Sequence, residues 1–208
     1  MDFIKNFTKA IESLADFQPH MFNGATEKEL FALEEKLGLT LPSDFKVFYQ
    51  TYNGQDDCAD YLFDFFSLCT LEKIAYCWEA LKVNEADFLK IEATPDGGVK
   101  NIWGCSKWVP FACSADGHFL CMDFSPAKNG TYGQVITFWY NSPERELIAL
   151  SFKDFIVEYT KNIQNGVYVY QQEDGCGSIV RKDGEPMWRH LFYRKGVDTD
   201  VFFFDDRI

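Results

Sequence analysis

Apolar side chains recur along this chain at the spacing of helix turns, then at the two-residue beat of strands, then at helix spacing again. Phe3, Ile4, Phe7, Ile11 and Leu14 predict an amphipathic helix over residues 3–15. Its polar face mixes acids with lysines, so the stripe is expected to pack on the protein's own core rather than on a membrane. A loop over Gln18–Gly24 leads to a second helix at Thr26, where Thr26 and Glu29 have the spacing of a capping box. Leu30, Leu33 and Leu37 share one face, and Gly38 can take the left-handed conformation that ends the helix. Pro42 suits the first turn of a third helix because its missing N–H needs no partner there. Phe45, Phe48, Tyr49 and Tyr52 form an aromatic stripe along it, and Asn53-Gly54 is expected to close it.

The next polar stretch, Gln55–Asp60, precedes Tyr61–Leu68, which reads as a strand of β-favouring aromatics. Thr70 then caps a helix reaching about Lys90, with Leu71, Ile74, Ala75, Trp78 and Leu81 inward. Thr94–Gly98 breaks the pattern and opens a β-rich region. Trp108–Ser114 and His118–Phe124 flank Ala115–Gly117, a three-residue hairpin loop with Gly117 left-handed. That register sets Phe111 opposite Cys121 and Cys113 opposite Phe119, with Leu120, Met122 and Phe124 on the other face. Both faces are apolar, so the sheet is expected to be covered on both sides. Strands follow at Gln134–Tyr140 and Leu147–Leu150. Ser151 caps a helix bearing Phe152, Phe155, Ile156 and Tyr159, ended by Gly166.

Val167–Gln171 and Ser178–Arg181 predict a further hairpin, Trp188–Arg194 another strand, and the apolar tail Val201–Asp206 a docked segment. No long Ser/Pro/Gly linker interrupts the 208 residues. The expectation is one domain over residues 1–208, with a core at about 26–165 and a C-terminal extension at 166–208. Its fold class is α+β: a mixed, mainly antiparallel sheet with helices packed around it.

Composition narrows the chemistry. With 47% hydrophobic residues and 21 phenylalanines, the chain is built for a packed interior. No apolar run is long enough to cross a bilayer, and the first residues lack a signal peptide's basic start, so a cytoplasmic protein is expected. The seven cysteines include no C-x-x-C pair, and His20, His118 and His190 are scattered, so reduced core thiols and no metal site are expected. Motifs for nucleophilic, nucleotide or metal-dependent catalysis are absent. A Cys–His pair of His118 with Cys113 or Cys121 is disfavoured because those thiols would face inward. The chain therefore reads as a non-enzyme without cofactor. Asp123, an acid among apolar residues, is expected to accept hydrogen bonds from loop amides.

The ordered combination of Glu27–Lys46 with Asn53-Gly54, Trp108–Ala112, Asp116-Gly117, Phe119–Asp123, Gly133–Val135 and the helix at Ser151–Ile156 resembles the SUKH superfamily. That superfamily includes fungal cell-wall assembly regulators and many bacterial toxin-immunity proteins. The resemblance covers roughly residues 26–165 and implies recognition rather than catalysis. Its first implied role is an immunity protein that neutralises a cognate toxin, possibly a nuclease, by direct binding. Its second is a scaffold or regulatory adaptor, as in cell-wall assembly. The resemblance also implies long flanks for the fungal proteins, and on the expectation that this compact chain lacks them the adaptor role ranks second.

Charge points the same way. The net charge of −12 and pI near 4.6 disfavour nucleic acid and favour a basic protein partner. Between Lys46 and Lys73 there is no Lys or Arg, while Asp56, Asp57, Asp60, Asp64 and Glu72 fall there. Asp56, Asp57, Asp60 and Asp64, with Asp116 and the Pro126–Tyr132 loop, are the expected partner-binding positions.

Overall fold

The computed structural model describes residues 2–173 and 175–187. In chain order its elements are α1 (Asp2–Glu12), β1 (Met21–Asn23), α2 (Glu27–Leu37), α3 (Ser43–Tyr49), β2 (Tyr52–Gln55), β3 (Ser67–Leu68), α4 (Leu71–Phe88) and β4 (Thr94–Pro95). There follow β5 (Trp108–Cys113), β6 (Phe119–Asp123), β7 (Gln134–Phe138), β8 (Glu144–Arg145), β9 (Leu147–Ala149), α5 (Phe152–Gln164), β10 (Tyr168–Glu173) and β11 (Cys176–Arg181). The fold is α+β. A central antiparallel sheet of order β3-β5-β6-β7-β9 is flanked by three two-stranded pairs. The expected strand at Trp188–Arg194 and the tail Val201–Asp206 lie outside the described residues.

Both faces of the sheet are covered, as its apolar strands require. Along β6, Leu120 and Met122 enter a larger core with Phe152, Phe155, Ile156 and Tyr159 of α5. Phe119 and Cys121 point the other way, into a smaller core with Trp108, Ile136, Phe138 and the Cys77 and Leu81 side chains of α4. This two-residue alternation is the pleat of the strand. Helix α1 packs along α5, where Phe7 meets Phe48 edge-on at 5.2 Å and Tyr159 at 6.2 Å. Each fully buried ring of this kind contributes roughly 2–3 kcal/mol through the area it removes from water.

The predicted caps form. Thr26 and Glu29 make the reciprocal capping box, and Gly38 ends α2 at φ 62°. Thr70 caps α4 and Ser151 caps α5. Three expectations change. First, α3 stops at Tyr49, and Tyr52–Gln55 is a strand paired with β1, so Asn53-Gly54 closes no helix. Tyr52 still joins the aromatic stripe, 6.0 Å from Phe7, but from the strand. Second, Tyr61–Leu68 is not one strand: the chain turns at Asp64, whose φ is +60°, between the bridged residues Phe63 and Phe66. Third, the hairpin register holds at its tip, where Cys113 faces Phe119, and slips further down, where Pro110 faces Cys121. The slip is a bulge at Phe111, beside a proline that cannot donate to the ladder. It sends Phe111 and Ala112 successively into the larger core, away from Cys121.

The hairpin of β10 and β11 forms as expected and is sewn to the 61–64 turn. Tyr61 N donates to Gly177 O at 2.9 Å, Ile179 N to Tyr61 O at 3.1 Å, and Asp64 N to Ile179 O at 3.0 Å. Tyr168, Ile179 and Met187 are buried in the larger core. Among the described residues no helix is long and apolar enough to cross a membrane.

Candidate functional site

The start of α4 is braced from several sides. Thr70 Oγ1 accepts from Lys73 N at 3.1 Å, and Asn53 Oδ1 accepts from Leu71 N at 3.0 Å. Two of the helix's unpaired amides are thereby satisfied. Gly54 sits at φ +81° so close to this corner that a Cβ would lie 2.4 Å from Thr70 N. Buried Gln55 completes the brace: its amide donates to Pro19 O at 3.0 Å and Asp60 O at 2.9 Å, and its carbonyl accepts from Leu68 N at 2.8 Å. The Asn53-Gly54-Gln55 run thus acts on α4 and not on the helix before it.

Beside this corner a cavity of about 440 Å³ opens between β1, the 55–57 loop, β3 and the first turns of α4. Asp56, Asp57, Glu72 and Lys73 line it, with Cys69 and Cys113 on its floor. A second, more apolar cavity of about 340 Å³ adjoins it along α4 and the β5–β6 tip, lined by Leu81, Phe88, Phe119, Phe138 and Tyr140 among others. Lys73, Tyr76 and Cys113 belong to both, so the two make one groove. Three aromatic rings stand exposed around it: Phe22 at 44%, Tyr76 at 73% and Tyr140 at 62% of their full accessibility. Aromatic side chains that stay in solvent beside a groove are the residue type that anchors protein interfaces.

The acidic positions read from the sequence separate into two groups. Asp56 and Asp57 line the groove, although the Asp56 carboxylate also accepts from Cys58 N at 2.9 Å. Asp60 turns toward the chain, accepting from Gln18 N at 2.8 Å, and it packs against Gly177. Asp64 lies in the turn that holds β11, and burial raises its pKa while a backbone amide at Met187 tempers the rise. Asp116 is exposed at the β5–β6 tip, at the end of the groove near Tyr140. Glu72, Lys73, Tyr76 and Tyr140 were not among the expected positions. Tyr76 and Lys73 lie on the outward side of α4, and outward aromatics on an amphipathic helix were the available signal.

Asp123 behaves as expected. Fully buried, it accepts from Ser125 N at 2.8 Å and from the Gln134 amide at 3.0 Å, and burial raises its pKa against those bonds. His118 accepts from Tyr140 N at 3.1 Å and packs against Trp139, which leaves it holding the hairpin to β7. Burial lowers its pKa, and nearby Asp116 opposes that.

The cysteines depart from the picture of dispersed core thiols. Cys69 follows β3, Cys77 lies in α4 and Cys113 ends β5, and their sulfur atoms all lie within 4.8 Å of one another. Burial pushes the Cys69 thiol up, and hydrogen bonding to Cys113 pushes Cys77 up to about 12. Cys113 moves the opposite way, because the Cys69 and Cys77 thiols favour its thiolate and Lys73 adds to the effect.

Arg145 also escaped the sequence. It is wholly buried, donating to Trp103 O from Nε at 3.0 Å and Nη2 at 2.7 Å, and to Ser142 O from Nη1 at 2.8 Å. The guanidinium lies 4.9 Å from the Trp103 ring centre and 4.8 Å from that of Phe138. It clasps the 94–103 segment to the sheet, and burial lowers its pKa to about 10.

Three fungal regulators align with most of this chain. It is 23% identical over 184 residues to the cell wall biosynthesis/cell cycle regulator smi1 of Schizosaccharomyces pombe, covering 81% of this chain and 36% of that protein. It is 21% identical over 211 residues to the cell wall assembly regulator SMI1 of Saccharomyces cerevisiae, covering 81% and 42%. It is 20% identical over 202 residues to a glucan synthesis regulatory protein of Neurospora crassa, covering 79% and 38%. The chain spans well under half the length of these relatives. The SMI1/KNR4 family (SUKH-1) model matches residues 24–158, the stretch that holds α2 to α4, the central sheet, the groove apart from Phe22, and the start of α5. The chain therefore belongs to the SMI1/KNR4 (SUKH-1) family.

Proposed function

We propose that this chain is a non-catalytic protein-binding module of the regulatory kind, which takes up a segment of a partner protein in the groove beside α4. The observation that carries this reading is the trio of exposed rings, Phe22, Tyr76 and Tyr140, around a groove with Asp56, Asp57 and Glu72 on its wall. Rings supply contact area at low entropic cost, and the carboxylates select a basic segment and speed its approach. The names of the fungal relatives support a regulatory role and rank it above toxin neutralisation. Neutralising a basic toxin would use the same acidic wall, and the net charge of −12 suits either partner.

The test captures a partner with the full chain, reconstitutes the pair from purified proteins and measures affinity for variants that keep the wild-type fold. Tyr76→Ala is expected to weaken binding about 10- to 100-fold, as a central aromatic anchor does. Asp57→Lys is expected to weaken it less and to flatten its dependence on salt. Equal affinity in both variants would remove the groove from the interface. Unaided turnover of a small molecule by the chain would overturn the non-catalytic reading.

A further inference from the structure

The groove floor carries a feature that protein binding does not require. Three thiols that served only as small core residues would have no reason to converge. Here Cys69 follows β3, Cys77 sits in the second turn of α4, and Cys113 ends β5, yet their three sulfurs gather around one point. Two are buried, and Cys113 is half-buried, opening on the groove. The positions are held by the main fold: Cys69 N donates to Phe111 O at 2.9 Å, and Cys69 O accepts from Tyr49 Oη at 2.9 Å.

We propose that Cys69, Cys77 and Cys113 form a three-thiolate site for a thiophilic divalent cation of the zinc class, with its fourth position open to the groove. The spacing fits: thiolates around a tetrahedral zinc with Zn–S of ~2.3 Å stand ~3.8 Å apart, and these sulfurs need close by no more than ~1 Å from their outer limit. Soft sulfur donors exclude calcium and magnesium and select zinc or its heavier congeners. Charge fits as well. The Lys73 ammonium on the same groove wall offsets the single negative charge that three thiolates leave on a dication, while Asp56, Asp57 and Glu72 line the outer wall. A disulfide would use two sulfurs and strand the third, which the convergence of all three disfavours. Three protein donors and an open fourth place, filled by water, match the general form of accessible zinc sites.

The experiment uses the reduced, metal-free full chain titrated with cadmium as a spectroscopic stand-in and with zinc against a chromophoric chelator. One equivalent of cadmium should produce a thiolate-to-metal charge-transfer band, and bound metal should shield Cys69, Cys77 and Cys113 together from alkylation while exposed Cys58 still reacts. Cys113→Ser should lower zinc affinity by at least ~100-fold, beyond the usual loss on disturbing a supporting residue. Cys58→Ser should bind as the wild type does. The proposal falls if no equivalent binds, if Cys113→Ser binds undiminished, or if the three cysteines alkylate at unchanged rates with metal present. Recovery of a disulfide within the trio, in place of metal binding, would also overturn it. The alkylation map is read on the unmodified chain, so it decides the matter even if Cys113→Ser fails to fold.

Discussion

Replacing Arg145 with methionine tests whether a buried cation stabilises this fold. The side chain has no measurable exposure and is still charged at neutral pH, since its pKa is lowered only to about 10 from 12.5. That displacement corresponds to ~3 kcal/mol of penalty on the charged form, at about 1.4 kcal/mol per pKa unit. Methionine fills much of the same volume and removes the penalty. It also removes four donated bonds, to Trp103 O twice, to Ser142 O and to Glu144 O, worth ~1.5 kcal/mol each as charge-assisted bonds. The stacked positions over Trp103 and Phe138 add ~1 kcal/mol more. The balance is a net loss of about 4 kcal/mol, which lowers the Tm by roughly 8–16 °C for a chain of this size. Arg145→Lys should do no better, because an ammonium retains the burial penalty but cannot fork across Trp103 O. Thermal unfolding by circular dichroism and urea midpoints on all three proteins give the comparison. A methionine variant within about 1 kcal/mol of the wild type, or more stable, would refute the clasp.

Two further outcomes follow from local geometry and charge. Gly54→Ala should destabilise strongly, by ~3 kcal/mol or more, because the new Cβ would meet backbone at Thr70 and the residue sits at positive φ; denaturant midpoints check it. Asp64 has a folded pKa raised above the ordinary 3.8 by burial, so its contribution favours the fold below that value and is lost as pH rises through the folded pKa. Asp64→Asn should therefore flatten the stability profile across that acidic window, measured by urea unfolding at successive pH values. A profile as steep as the wild type's would assign the slope to other groups.

What the sequence made legible was local. Thr26, Thr70 and Ser151 announce helix starts because a cap acts within three residues, and Gly38, Gly117 and Gly166 announce chain reversals for the same reason. What stayed hidden was non-local. The bulge at Phe111 depends on which strands flank it, and periodicity alone cannot count an extra residue. Asn53-Gly54 looked like a helix end because its real partners, Leu71 and Thr70, lie far along the chain. The Cys69–Cys77–Cys113 convergence leaves no short spacing motif, since its members sit in a connection, a helix and a strand. Of the acidic candidates, Asp56 and Asp57 line the groove, and charge density could not tell them from Asp60, whose carboxylate is taken up by Gln18 N.

The central sheet ends in a two-residue strand on one margin and a three-residue strand on the other. Margins that short expose few vacant main-chain donors and acceptors, so another polypeptide finds little to zip onto. On the proposed function, a partner segment is expected to be gripped by side chains across a surface instead of annealing as an added ribbon. The same stubby rims give the central sheet little edge for fibrous stacking of one copy on another.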